Sequence, residues 1–315
     1  MNTILKKSLL VFFGVICALI AFEIGAAIML SMADSSDTIP MRMADGTLEQ
    51  FEFDEDLGFF PIVGQGGEYG PYGCLANDYE ADDKGSRTRI LFIGDSVTHR
   101  AQIIDGLRAL YGEDGYEYWN AGVESFNTRQ IVEFYRLHNH KLQPDEVVLT
   151  FHNNDFQATP VATKEDGKLV LHIPQKARVE APFPLLGRSA LYRLWLQYTL
   201  PRFERGKDEV QRDLNELKRL VESQGARLSV VLYPILKPQS EWTDGEKRSR
   251  RQSLEIFEDL DIRYFDALEA LPTDAEEITA LRQEPEDTWH PNKQGGTVIA
   301  EDLHKRGLLD KPSNS

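Results

Sequence analysis

The sequence predicts an α/β protein built on a parallel β-sheet and preceded by one membrane-spanning helix. Three observations point there. Short β-prone runs alternate with stretches of helical spacing from Arg89 onward, polar residues follow several of those runs directly, and 26 residues near the N-terminus carry almost no charge. Strand and helix alternating in this rhythm imply a parallel sheet covered on both faces. In such sheets ligands bind outside the carboxyl ends of the strands, so the residues just after each strand are the ones to read for chemistry.

The apolar stretch runs from Ser8 to Ala33, holds a single formal charge at Glu23, and follows Lys6 and Lys7. As a helix it would extend roughly 39 Å, more than the ~30 Å hydrocarbon layer. The basic pair stays cytoplasmic by the positive-inside rule, which puts everything after Ala33 outside the cytoplasm, in the periplasm or at the cell surface. A cleaved signal peptide is the competing reading, with Ser31-Met32-Ala33 as small residues at its cleavage site. The stretch is longer than the ~7–15 residues of a signal-peptide core, which favours an anchor. Glu23 is the odd residue, since a carboxylate near mid-membrane costs about 2.5–3.5 kcal/mol on insertion scales. It is either protonated and tilted toward the outer interface, or it makes a polar contact to another membrane protein.

Over the whole chain 35 Lys+Arg face 51 Asp+Glu, a net charge of −16. The first 33 residues hold two lysines and one glutamate, so the remainder carries −17. That acidic remainder, with no sustained basic run, argues against a nucleic-acid partner. Only two cysteines are present, Cys17 in the apolar stretch and Cys74 outside it. They make neither a zinc ribbon nor a disulfide scaffold, so any chemistry rests on other side chains.

Three parts follow: residues 1–33 as cytoplasmic start and anchor, 34–87 as an extended tether and arm, and 88–310 as the α/β domain. Asp34 to Tyr79 is aperiodic and rich in Gly, Pro and acidic residues, with Phe51, Phe53, Phe59, Phe60 and Tyr69 scattered through it; it reads as a tether that becomes a packed arm. Strands are expected at Arg89–Ile93, Glu117–Trp119, Glu146–Phe151, Leu228–Tyr233 and Arg263–Phe265. Ile131, Phe134, Tyr135, His138 and Leu142 follow helical spacing, as do Val210, Leu214, Leu217 and Val221, with Gly225 as a C-cap. Residues 156–206 break the rhythm, and connections that long in a compact domain are lids, binding loops or disorder. Within them Ser189–Leu200 is apolar nearly all round, with Arg193 and Gln197 as a thin polar stripe, and is expected to pack over the sheet or site. A membrane-surface contact is the weaker alternative.

Four strand ends carry chemistry. The first runs into Gly94-Asp95-Ser96, which places a serine at the open edge of the sheet with a helix starting behind it; a turn that merely caps that helix is the plain alternative. The second leads into Asn120-Ala121-Gly122, where a glycine lets a ligand oxygen approach a main-chain N–H, or simply makes a turn. The third ends in His152-Asn153-Asn154-Asp155, and an Asn amide there can donate to a developing oxyanion, although Asn and Asp also just terminate strands. Near the C-terminus Asp287-Thr288-Trp289-His290-Pro291-Asn292 precedes a Gly-Gly-containing helix at Gln294–Lys305. Asp and His three apart on one turn let the carboxylate hold one imidazole nitrogen and leave the other for a nucleophile. No metal or cofactor is expected: His152, His172 and His304 have no ligand spacing, and no glycine-rich phosphate loop is present.

With these blocks in hand the sequence resembles the SGNH, or GDSL-type, hydrolase superfamily over roughly Arg89–Gly307. Gly94-Asp95-Ser96, Gly122 within Asn120–Thr128, Asn154-Asp155 and Asp287–His290 match its four blocks in order. The resemblance implies a flavodoxin-like three-layer α/β/α fold, Ser96 as nucleophile, His290 as base and Asp287 as its orienting carboxylate. It also implies an oxyanion hole from the Ser96 and Gly122 backbone N–H groups and the Asn154 side chain. The anchor, the aromatic arm and the long insertion resemble the membrane-anchored bacterial branch. His152 stands where that third block usually has glycine, and Ser125 where a second glycine often follows Gly122. The expected activity is hydrolysis of O-acyl esters, acetyl esters of carbohydrate foremost. Two alternatives stand beside it: an O-acyltransferase on exported polysaccharide, with Glu23 docking a membrane acyl donor, and a non-catalytic carbohydrate-binding or assembly subunit. Loss of a triad member would mark the last, and none is lost.

Overall fold

The computed structural model of the chain describes residues 3–32, 38–42, 51–54, 57–64, 67–159, 161–165, 168–174, 189–192 and 205–309. The apolar N-terminal stretch, with Lys6 and Lys7 at its start, forms one helix, α1 (Thr3–Met32). Its window Phe12–Met29 is long and apolar enough to cross a membrane, and its large side chains, Phe12, Phe22 and Ile24 among them, point outward. Cys17 is exposed on this helix, Cys74 is buried far from it, and both are free thiols.

After a short strand β1 (Thr38–Arg42), the arm opens with an antiparallel ribbon of β2 (Phe51–Asp54) and β3 (Gly58–Pro61). The aromatics that looked scattered in sequence converge: Phe51 on Phe59, Phe59 and Phe60 on Phe126, and Tyr69 on Phe134, with ring centres 5.3–6.3 Å apart. Edge-to-face pairs of this kind add to the burial of their large apolar area. The described arm is therefore part of the hydrophobic core. Gly73 (φ +68°) is required where the arm crosses the domain, since a Cβ there would lie 2.7 Å from the Phe134 ring. At the far end Arg89, nearly fully buried, donates to Glu117 Oε2 at 2.7 Å and to the carbonyls of Ala81 and Leu142 at 2.9 and 2.7 Å. A buried guanidinium needs that full set of acceptors, and here the set ties arm to sheet.

The domain then runs β4 (Thr88–Gly94), a single turn α2 (Ser96–His99), α3 (Gln102–Tyr111), β5 (Tyr116–Gly122), α4 (Thr128–Leu137) and β6 (Glu146–Phe151). The insertion contributes a hairpin, β7 (Val161–Glu165) and β8 (Lys168–Pro174), whose second strand lies between β7 and β1 in a separate antiparallel sheet. α5 (Lys207–Ser223), β9 (Arg227–Leu232), α6 (Asp244–Asp259), β10 (Arg263–Asp266), α7 (Ala275–Ala280) and α8 (Lys293–Lys305) complete the chain. All five expected strands are present, extended by one or more residues or shifted by one, except Glu146–Phe151, which stands as read. The hairpin is not among the elements expected from the sequence, and of the apolar segment at 189–200 only residues 189–192 are described, with 190–192 helical.

The central sheet has the order β10-β9-β6-β4-β5, with every pairing parallel. Counted along the chain this is the flavodoxin-like order 2-1-3-4-5, whose reversal point lies between its first and third strands, β4 and β6. α4 and α5 cover one face, with α6 beside them, and α3 and α8 the other, giving three layers. α3 and α8 meet closely: a Cβ on Gly106 would lie 2.6 Å from Ala300, and one on Gly296 would lie 2.5 Å from the Gln102 carbonyl. That glycine contact sets the N-terminus of α8 against the N-terminus of α3, which follows β4 and α2 in the chain.

Candidate active site

Ser96 and Asn154 flank the reversal point, just beyond the carboxyl ends of β4 and β6. Gly94 must be glycine to bring the chain there (φ +153°), because a Cβ would lie 2.2 Å from Thr98 Oγ1 and 3.0 Å from the Thr150 carbonyl. Asp95 caps α2, accepting from Val97 N–H at 2.9 Å. Ser96 takes the first helical position, where its backbone N–H has no partner within the helix. Its Oγ lies 2.8 Å from His290 Nε2, and His290 Nδ1 lies 2.7 Å from Asp287 Oδ2. Nucleophile, imidazole and carboxylate thus form one hydrogen-bonded line from the two ends of the domain.

The turn that carries His290 is pinned on each side. Leu236 N–H donates to the Thr288 carbonyl and Gln283 N–H to the His290 carbonyl, both at 2.9 Å. Asn292 caps α8 and donates its amide to the carbonyls of Ala280 and Arg282. Asp287 Oδ1 accepts from the Trp289 and His290 backbone N–H groups at 2.9 and 3.1 Å. Burial works upward on the Asp287 carboxyl, but these bonds and the one to the His290 ring outweigh it and hold the group below the usual carboxylate range. It is therefore charged at neutral pH and fixes Nδ1 as the protonated nitrogen, leaving Nε2 to face Ser96.

The oxyanion side departs from expectation at Gly122. Its N–H donates to Asn120 Oδ1 at 2.9 Å, so it is not offered to a ligand. Glycine is required there for packing: a Cβ would lie 2.3 Å from the His99 nitrogen and 2.7 Å from the Thr98 carbonyl carbon. The donor of the right kind sits three residues on, at Ser125. This residue has φ +65°, the left-handed conformation that favours glycine, and its N–H has no acceptor among the described residues. The loop that carries it is held beside Gly94 by Val123 N–H donating to the Gly94 carbonyl at 3.0 Å. The arm steadies the same loop, since Tyr69 OH donates to the Gly122 carbonyl at 2.9 Å. Asn154 keeps its expected place: its amide nitrogen donates one hydrogen to Asp95 Oδ2 and has a second to offer.

Behind Asn154 lies a polar floor that sequence reading reached only in part. His152 and Tyr233 extend the paired strands β6 and β9 and stand side by side, ring centres 5.4 Å apart; the Trp289 ring packs against His152 at 4.7 Å, tilted by 58°. Both residues are at most 2% exposed, and neither His152 ring nitrogen nor the Tyr233 hydroxyl nor Asn154 Oδ1 has a well-formed hydrogen bond. Burial, then the neighbouring His290 charge, pushes His152 down to about 3, with the Asn154 side chain acting weakly the other way. The imidazole is neutral at any ordinary pH. Burial raises Asp95 and Asp155, the latter holding His152 N–H and accepting from Thr128 Oγ1. Trp289, by contrast, is 38% exposed at the rim. Among the described residues no group of three or more His, Cys, Asp or Glu side chains could hold a metal ion.

No family model and no curated protein matches the chain. Solved structures do. A putative lipolytic protein of the G-D-S-L family from Desulfitobacterium hafniense is 14% identical, with 70% of this chain and 99% of that one covered and a TM-score of 0.45. A putative acylhydrolase from Bacteroides fragilis is 12% identical over 72% and 91%, TM-score 0.45. An acetylxylan esterase from Geobacillus stearothermophilus is 18% identical over 71% and 95%, TM-score 0.46. The structural neighbours of this chain are thus GDSL-type lipolytic proteins, acylhydrolases and acetylxylan esterases.

Proposed function

We propose that the chain is a serine esterase of the SGNH type that removes O-acyl groups, acetyl foremost, from carbohydrate outside the cytoplasm. The observation that carries this reading is the unbroken line Ser96 Oγ, His290, Asp287, at 2.8 and 2.7 Å, on the open edge of a parallel sheet. Ser96 Oγ attacks the ester carbonyl while His290 Nε2 takes its proton; the same proton then passes to the departing sugar oxygen. Water, deprotonated by His290, attacks the acyl-enzyme and releases the acid. Negative charge on the tetrahedral carbonyl oxygen is met by the Ser96 N–H, the free amide hydrogen of Asn154 and, in place of Gly122, the Ser125 N–H.

Two features favour a small acyl group on a sugar. The floor behind Asn154 is filled by the His152 and Tyr233 rings, which leaves little depth for a long chain, and the exposed Trp289 offers a flat face to a pyranose ring at the rim. Lys6 and Lys7 before the apolar helix favour a domain outside the cytoplasm, where exported or envelope polysaccharide is the natural substrate. The Glu23 carboxylate accepts hydrogen bonds from Ser189, Ala190 and Leu191 of its own chain, which counts against its docking a membrane acyl donor and leaves the transferase alternative resting on the shared triad.

The test is active-site labelling of the full-length protein with a fluorophosphonate. Wild type should label and Ser96→Ala should not; equal labelling of both would overturn the nucleophile. Release of acetate from acetylated xylo-oligosaccharides against long-chain acyl esters then tests the substrate, with preference for the long chain as the overturning result.

A further inference from the structure

The insertion leaves and re-enters the domain at a single neck, where Arg205 N–H donates to the Phe156 carbonyl at 2.5 Å, two residues beyond Asn154. Its described outer parts both meet the N-terminal segment. β8 pairs with β1 along five residues, from Pro174 opposite Thr38 to Val170 opposite Arg42. Ser189, Ala190 and Leu191 meet α1: Ser189 Oγ donates to Glu23 Oε2 at 3.0 Å, Leu191 N–H to the same oxygen at 3.2 Å, and Ala190 N–H to Oε1. Ser189 Oγ accepts in turn from Tyr192 N–H at 3.1 Å. Three successive backbone donors are thereby satisfied. Ala26, one turn beyond Glu23 on the same face, is 3% exposed, whereas Ile24, Ile28 and Met29 around it are all more than half exposed.

Depth gives these contacts their meaning. Glu23 lies six residues inside Met29, the end of the apolar window, which is about 9 Å of helix. An unsatisfied N–H in hydrocarbon is costly, and so is a lone carboxylate there. Each deficit cancels the other when the carboxylate receives the N–H groups. At a wet surface water would compete for the same bonds and leave each worth only a small fraction of what it is worth in hydrocarbon. Residues 189–200 also carry a single formal charge, Arg193.

We propose that residues 189–192 are seated within the non-cytoplasmic half of the bilayer, against α1, with Glu23 and Ala26 as their socket. The insertion is then a docking element for the acyl region of phospholipids that fixes the domain at the membrane instead of leaving it on a loose tether. This rests on α1 spanning the membrane, and its test does not depend on catalysis. The full chain carrying Cys17→Ser and Leu191→Cys is labelled with an NBD fluorophore and reconstituted in phosphatidylcholine nanodiscs, with Asp244→Cys on α6 as the aqueous reference. The label at 191 should be quenched by doxyl-phosphatidylcholine and shielded from aqueous cobalt, the reverse of the label at 244. Glu23→Leu, which removes the acceptor, and Ala26→Leu, which fills the socket, should each invert the lipid-to-aqueous quenching ratio, while Ala27→Leu on the exposed face should not. Cobalt quenching at 191 equal to that at 244 overturns the proposal, as does an unchanged ratio in either socket variant. Hydrolysis of a soluble ester by Ala26→Leu should stay at the wild-type rate, so a failure here is distinct from a failure of the esterase reading.

Discussion

The two sides of the candidate site are built differently. On the Ser96–His290–Asp287 side the functional atoms are already paired, and the turn is pinned by backbone bonds from Leu236, Gln283 and Asn292. On the Asn154 side the polar atoms are buried deeper, yet Asn154 Oδ1, the His152 nitrogens and the Tyr233 hydroxyl lack well-formed bonds. Buried polar groups are nearly always satisfied, so the contrast assigns different work to the two sides. The paired side holds a proton path whose geometry must exist before substrate arrives. On the esterase reading, the donors of the other side, the second amide hydrogen of Asn154 together with the His152 N–H and the Tyr233 hydroxyl, are kept for charge that develops only in the transition state.

The sharpest break of that comparison lies on the paired side. Ser96→Ala or His290→Ala should each lower kcat by a factor on the order of 10⁶, and the double variant should fall little further, because members of such a unit are not additive. Esterase assays on purified full-length variants check this, and two losses that multiply would mean the residues act separately. Asp287→Asn should keep the turn, since an amide oxygen can still accept from Trp289 and His290 N–H, yet lose about 10⁴ in kcat by presenting the wrong imidazole tautomer.

On the other side effects should be smaller. Asn154→Ala removes one donor among three and should cost about 10²–10³ in kcat with KM little changed. A KM effect alone would make Asn154 a binding residue and remove the distinction between the two sides. The same variant also strips a hydrogen bond from Asp95, whose carboxyl burial already raises, so a thermal melt should accompany the kinetics.

His152 gives a weaker, pH-dependent signal. Its folded-state value of about 3 lies below the ordinary 6.5, so below pH 6.5 the unfolded chain binds a proton that the folded one refuses. Stability is lost as pH falls, by up to about 1.4 kcal/mol per pH unit from this group. Asp95 and Asp155, raised by burial, work the other way as pH falls. Taking the difference between wild type and His152→Gln in urea melts at pH 7.5 and pH 5 isolates the histidine. The wild-type advantage should shrink at the lower pH, and parallel melts at both values would show that His152 is not buried as a neutral ring.

How much of this was legible in sequence follows the same division. The five sheet strands and the segments that bring Ser96, His290 and Asp287 together are legible in sequence because strand ends and a three-residue Asp–His spacing are local features. Gly122 reads in sequence as an oxyanion donor because a glycine forced by backbone packing against Thr98 and His99 looks there the same as one that clears the way for a ligand. The β7–β8 hairpin had a signal, an Asp166-Gly167 pair between two alternating runs, but its partner strand β1 lies more than a hundred residues upstream, and no local pattern reports that pairing. Glu23 was visible as an anomaly, while its partners at 189–191 could not be guessed from either segment alone.

The smallest effect tests the corrected oxyanion donor. If Ser125 acts through its backbone N–H, its hydroxyl is dispensable and its left-handed φ is a cost. Ser125→Gly relieves a strain of roughly 1–2 kcal/mol for a side chain in that region, partly offset by about 0.4–1 kcal/mol of added freedom in the unfolded chain. The net should be a stability gain of zero to about 1.6 kcal/mol by urea melt, too small to disturb a loop that Val123 and Tyr69 already hold. The N–H itself is retained in glycine, so kcat/KM should stay within about twofold, against the two to three decades expected for a lost donor. A loss of that larger size on Ser125→Gly would mean that the serine hydroxyl, not the main chain, meets the oxyanion. The spare capacity would then lie in side chains on both strands that flank β4.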